Sequence, residues 1–139
     1  MIPPDEFPRL TNANHRLTSP ESTDYNCIAW AADDTANWWQ PGVYWPLPID
    51  PEETNLSALQ AMFMHMGYVL CANGSLEPGF VKVALYSAGK FYTHAARQLP
   101  NGKWTSKLGK GEDIEHDSAA DVGGGLYGDV ALYMMRPTL

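Results

Sequence analysis

Basic residues are scarce in this chain. Nine Lys and Arg stand against 16 Asp and Glu, for a net charge of −7 over 139 residues. That deficit excludes a cationic face able to hold nucleic acid by its phosphates, and it disfavours attraction to anionic membranes. Apolar runs are short, none reaching the roughly 18 residues read as a transmembrane helix. The N-terminus, Met1-Ile2-Pro3-Pro4-Asp5-Glu6-Phe7-Pro8, has neither a basic n-region nor an apolar h-region, so no secretory signal is visible. Two cysteines, Cys27 and Cys71, do not make a disulfide framework. A reduced, cytoplasmic setting is expected, with export by a signal-less route left open. The glycine run Gly123-Gly124-Gly125 lacks the Lys-Ser/Thr of a phosphate loop, which argues against nucleotide binding. Cys27, His65, Cys71, His94 and His116 show neither Cys-x-x-Cys nor His-x-x-x-His spacing. No metal or other cofactor is expected.

What is present reads as one folded domain. Apolar residues make up 45% and charged residues 18%, and the length suffices for a real core. Residues 1–23 are expected to form an irregular N-terminal arm, 24–66 a helical part with an aromatic, proline-rich loop, and 67–139 an antiparallel sheet. A helix is expected from about Asn26 to Trp38. The prolines of Trp38-Trp39-Gln40-Pro41-Gly42-Val43-Tyr44-Trp45-Pro46 then forbid regular structure. Leu56, Leu59, Met62, Phe63 and Met66 recur at helical spacing, with Thr54 or Asn55 as cap and Gly67 as stop. Short strands are expected at 68–71 and 79–86, the latter buried on both faces. Asn101-Gly102 between 91–99 and 103–108 marks a hairpin, and 127–136 reads as a last strand. The fold class expected is α+β, with N-terminal helices on a largely antiparallel sheet of four to five strands.

Chemistry centres on Asp24-Tyr25-Asn26-Cys27-Ile28-Ala29-Trp30-Ala31. Polar residues end where small helix formers begin, so Asn26 or Asp24 reads as the cap and Cys27 lies in the first turn. Unpaired N–H groups and the helix dipole would favour its thiolate there. The plainer alternative is a small core hydrophobe. His94, in Thr93-His94-Ala95-Ala96-Arg97, opens one hairpin strand, and Ser106 to Gly109 return beside it on the other. A polar group that orients an imidazole would have to sit there.

These segments resemble the papain-like cysteine hydrolase superfamily, including the bacterial CHAP-type amidases, within a small bacterial family carrying Tyr-Asn-Cys-Ile-Ala-Trp-Ala. Trp104-Thr105-Ser106-Lys107-Leu108-Gly109 and Asp113-Ile114-Glu115-His116 resemble that family's other hallmarks. The resemblance covers about 27–109 and implies a papain-like core, with Cys27 as nucleophile, His94 as base and Ser106 in the orienting position. Asp113, Glu115 and His116 compete for that third role, although 113–117 also reads as a solvated acidic loop. The position matching the family's oxyanion glutamine is Glu21, which cannot donate when ionised, so Asn26, Ser22 or the Cys27 N–H would serve. Trp30, Trp38, Trp39 and Trp45 are candidates for a substrate cleft or for a lid over the core.

Two functions follow. One is a cysteine-dependent hydrolase of the peptidase or amidase type, acting on a peptide or other amide-containing substrate. The other is a non-catalytic, immunity- or adaptor-like protein whose acidic surface meets a basic protein partner.

Overall fold

Gly102 takes φ +87° in the Asn-Gly turn, a conformation glycine adopts without steric cost. The hairpin signalled by this dipeptide lies near the middle of a seven-stranded antiparallel sheet. The structure, a computed structural model, describes residues 5–20, 22, 24–50, 52–108 and 111–138. In chain order the elements are β1 (His15–Ser19), α1 (Cys27–Ala31), α2 (Leu56–His65), β2 (Val69–Cys71), β3 (Phe80–Ala88), β4 (Phe91–Gln98), β5 (Trp104–Lys107), β6 (Asp113–His116), a 3-10 turn (Ala119–Val122) and β7 (Asp129–Pro137). The strand order is β1-β6-β5-β4-β3-β7-β2.

Side-chain alternation splits the core in two. On one face, Val83, Leu85, Ala95 and Met134 pack beneath Ile28, Ala29 and Ala31 of α1 and Leu59, Met62 and Phe63 of α2. On the other, Ala84, Tyr86, Ala96, Trp104 and Ile114 pack with Phe7, Ala119, Val122 and Tyr127. Residues 83–86 are each fully buried, which is why β3 reads as an unbroken apolar run.

This architecture corrects the expected fold class. Among the described residues the sheet has seven strands rather than four or five, and the helical content is two short α-helices, so it is not a papain-like core with helices packed on a small sheet. α1 stops at Ala31 because Asp33 takes φ +65° and the Asp34 carboxylate accepts from the Ala36 and Asn37 N–H groups. Such local side-chain bonds compete with helix continuation. The 1–23 arm contains β1, paired with β6, and the acidic 113–117 segment is mostly β6, buried at each of its four residues.

Two irregularities shape the site. β4 and β5 pair only through Arg97 with Thr105 and Gln98 with Trp104, so they splay apart toward His94, and α1 packs over both strands. β4 also bulges at Thr93, between the pairings of His94 with Tyr86 and Tyr92 with Ser87. Gly128, at φ +65°, leads into β7 so close to β3 that a Cβ would lie 2.2 Å from the Ser87 carbonyl oxygen. No helix among the described residues is long and apolar enough to cross a membrane.

Candidate active site

Asn26 is the N-cap of α1, in extended conformation. Its Oδ1 accepts from the Ala29 and Trp39 N–H groups, both at 3.1 Å, and its Nδ2 donates to the Trp39 carbonyl at 2.7 Å. The side chain therefore ties the helix start to the aromatic loop. As an expected oxyanion donor, Asn26 has one Nδ2–H already committed to Trp39. Ser22, another oxyanion candidate, accepts from the Asp24 N–H, while Glu21 lies outside the described residues.

Cys27 begins α1. Burial pushes its thiol up to about 11, against hydrogen bonds from the Ala95, Ile28 and Cys27 N–H groups and the charge of Lys107, which pull it down. The thiolate expected from a helix N-terminus is therefore not the resting form. A helix of five residues supplies little dipole, and desolvation outweighs the donors. The Ala95 contact brings the thiol to the residue next to His94, at the edge of β4 where β5 has splayed away.

His94 is fully buried, on the face away from the helices. Its ring lies parallel to Tyr127 with centroids 4.0 Å apart, and edge-on to Tyr86. A chain of hydrogen bonds runs from it: His94 Nε2 to Ser106 Oγ at 2.9 Å, Ser106 Oγ to His116 Nε2 at 2.8 Å, and His116 Nδ1 to the Ser118 carbonyl at 2.8 Å. The directions follow from the donor inventory. A carbonyl only accepts, so His116 Nδ1 carries a proton and, in the neutral ring, Nε2 is the acceptor. The Ser106 hydroxyl must then donate to His116 and accept from His94 Nε2–H. His94 Nδ1 is left as a bare lone pair, buried and with no hydrogen-bond partner among the described residues. Burial, then the neighbouring His116, holds His94 well below the ordinary histidine value. His116 is also held low, by burial above all. Both rings are neutral near neutral pH. Cys27 packs with the helix-side cluster, so the sheet does not bring it and His94 into contact.

The remaining candidates divide by strand alternation. Asp113 and Glu115 face the helices, opposite to Ile114 and His116, and neither touches an imidazole. Asp113 accepts from the Tyr25 hydroxyl, and its Oδ1 is buried without a hydrogen-bond partner among the described residues. Tyr25 is pushed up to about 12, first by burial and then by Asp113. Lys107, opposite Asp113 in register, sets its ammonium 5.0 Å from the Tyr25 ring centroid and donates to the Gly111 carbonyl at 2.7 Å. Glu115 is bound by Arg16 at 2.8 Å, which holds its carboxyl below the usual range.

The tryptophans also part company. Trp30 stacks on Tyr25 and donates to Thr105 Oγ1 at 2.9 Å. Trp45 stacks on Tyr92, whose phenol burial pushes up to about 12 with a further contribution from Cys27, so this pair lies close to the thiol. Trp39 is core and donates to Asp34, and Trp38 donates to the exposed Gln40. Neither of these lines a cleft at Cys27.

Sequence reasoning missed Tyr25, Lys107 and Tyr127. Two-residue alternation in Trp104-Thr105-Ser106-Lys107 could have flagged Lys107 as sharing the helix-facing side with Thr105. Nothing in the sequence signals Tyr127, which reaches His94 from the loop before β7. Residues 16–135 match a family model described as a domain of unknown function (DUF7689), and the chain belongs to that family. No curated protein and no solved structure matches it.

Proposed function

Taking a DUF7689 chain with this arrangement as the premise, we propose that it is a cysteine-dependent hydrolase of amide or thioester bonds, with Cys27 as nucleophile and His94 as base. The observation that carries the reading is the His94 ring. Its Nε2–H is fixed by Ser106, its Nδ1 lone pair is buried and unused, and the Cys27 thiol is bonded to the next residue's N–H. Cys27 lies on the helix-bearing side of β4 and His94 on the other, so this reading requires the splayed end of β4 and β5 to open before the thiol reaches Nδ1.

In the reaction, once that end has opened, the Cys27 proton passes to His94 Nδ1 as sulfur bonds to the substrate carbonyl carbon. The carbonyl oxygen takes up the electron pair and is held by the Cys27 or Ile28 N–H. The tetrahedral adduct expels the leaving nitrogen or sulfur, which collects the proton from His94. Water then gives a proton to Nδ1, attacks the acyl-thioester and releases the acid, and His94 returns the proton to sulfur. Ser106 and His116 position the ring throughout. A neutral thiol and a neutral imidazole suit general-base attack better than a pre-formed ion pair.

The test is mass spectrometry of the chain mixed with activated acyl esters and thioesters between pH 6 and 10, together with steady-state hydrolysis. The expected result is an acyl adduct on Cys27 and none on Cys71, with hydrolysis lost in Cys27→Ala. Ser106→Ala should lower kcat with little change in KM. Absence of any Cys27-dependent adduct across that range would sink the proposal. One observation favours the non-catalytic reading: burial raises the thiol rather than activating it. Under that reading Cys27→Ala keeps a full complement of partner binding.

A further inference from the structure

A cavity of about 500 Å3 opens on the helix-bearing face, between the end of α1, the end of α2 and the strand ends of β3 and β7. Its wall carries two guanidinium groups, Arg97 and Arg136, in a protein of net charge −7. An arginine offers five N–H donors, and these two use few of theirs. Arg97 has an ion pair with the mostly exposed Asp33 at 3.7 Å, and its Nε is buried with no hydrogen-bond partner among the described residues. Arg136 donates to the Met66 carbonyl at 3.0 Å and lies 4.8 Å from the Tyr68 ring centroid. The Tyr68 phenol sits in the field of both arginines, although burial is the larger influence on it. A buried, unpaired guanidinium nitrogen is costly and calls for an explanation. A carboxylate bound there would partner it.

The surroundings narrow the anion. Ala32, Met66, Val81 and Pro137 give the cavity apolar walls, and Arg97, Val81 and Thr138 are shared with an adjoining cavity of about 480 Å3 lined mainly by Leu76, Pro78, Phe80 and Leu99, with Gln98 and the Lys82-paired Glu77. Two planar forks fit oxygen pairs, and an apolar extension beside them suits a ligand with a carbon body. We infer that the Arg97–Arg136 cavity binds a carboxylate carried on an apolar group, such as a peptide ending in an apolar residue or an acyl chain. Asp33 occupies the near side of Arg97 until the ligand's carboxylate competes for it. The site lies beyond the far end of α1 from Cys27 and does not depend on the chemistry proposed there.

Calorimetry on the full chain tests this with N-acetylleucine, its uncharged amide, octanoate and inorganic phosphate. Saturable binding of at least one carboxylate is expected, weakened about tenfold or more, or roughly 1.4 kcal/mol, in the amide and in Arg97→Gln and Arg136→Gln. Asp33→Asn, which keeps a residue type tolerant of its positive φ, should bind several-fold tighter. That gain is not expected from a merely structural role, and it stands even if an arginine variant folds poorly. Preference for N-acetylleucine assigns the carboxylate to a peptide terminus, and preference for octanoate assigns it to an acyl chain. Cys27→Ala should bind unchanged, so failure of the hydrolase reading and failure of this one are distinguishable. The inference is overturned if the amide binds as well as the acid, if phosphate binds tighter than either carboxylate, or if Asp33→Asn leaves affinity unchanged.

Discussion

The two faces of the sheet solve the same problem by different means. Each buries polar side chains beside an apolar core. The helix-bearing face does so with charge: Lys107 and Asp113 are fully buried, with Tyr25 donating to the carboxylate and lying under the ammonium. The opposite face uses a neutral chain, His94–Ser106–His116–Ser118, in which every proton has one direction. A buried charge needs a countercharge or strong donors under all conditions. A buried neutral imidazole needs only that the pH not protonate it. One face is therefore expected to be sensitive to truncation and the other to acid.

Replacing Asp113 by Ala should break the charged face most severely. It leaves the buried Tyr25 phenol without its acceptor and removes the carboxylate set opposite the buried Lys107, which should cost about 3–5 kcal/mol in urea unfolding. Trimming the neutral chain is milder. Ser106→Ala strands the His94 Nε2–H and the His116 Nε2 lone pair, at about 1–3 kcal/mol in the same measurement. If Ser106→Ala proved the more damaging, the contrast between the faces would fail.

Acid should separate the faces further. Both histidines titrate below their unfolded value of about 6.5, so between the two values the unfolded chain binds protons that the native chain refuses. Stability is then constant above about pH 6.5 and falls as the pH drops below it, toward the native values. Urea midpoints from pH 8 to 5 should show that decline, and His116→Gln should flatten it. An undiminished slope in His116→Gln would assign the loss elsewhere. The smallest effect belongs outside both faces: Trp38→Ala should shift stability by no more than about 0.5 kcal/mol, read from a thermal melt.

What could be read from sequence was what local chemistry decides. Asn101-Gly102 marked its hairpin because the turn residues carry their own φ preference. α2 and β3 showed themselves through periodicity and an apolar run. Pairing between distant segments left no comparable trace. β6 looked like a solvated acidic loop because Asp113 and Glu115 find partners in Tyr25 and Arg16, far away in the chain. α1 looked longer because Asp33 and Asp34, which end it, act through backbone bonds that hydrophobic patterning does not record. At the candidate site, the nearness of His94 and Ser106 was readable from the hairpin. The raised thiol was not, since burial is set by the whole sheet.

The splayed end of β4 and β5 has a consequence for measurement. In a continuous ladder the Ala95 amide would face a carbonyl of β5, whereas here it points at sulfur. Sulfur is a weak acceptor, so this one proton reports on the occupancy of the gap. Its hydrogen-exchange rate, set against that of Arg97 two residues on, would show whether a molecule drawn to the thiol opens the seam between the strands or leaves it closed.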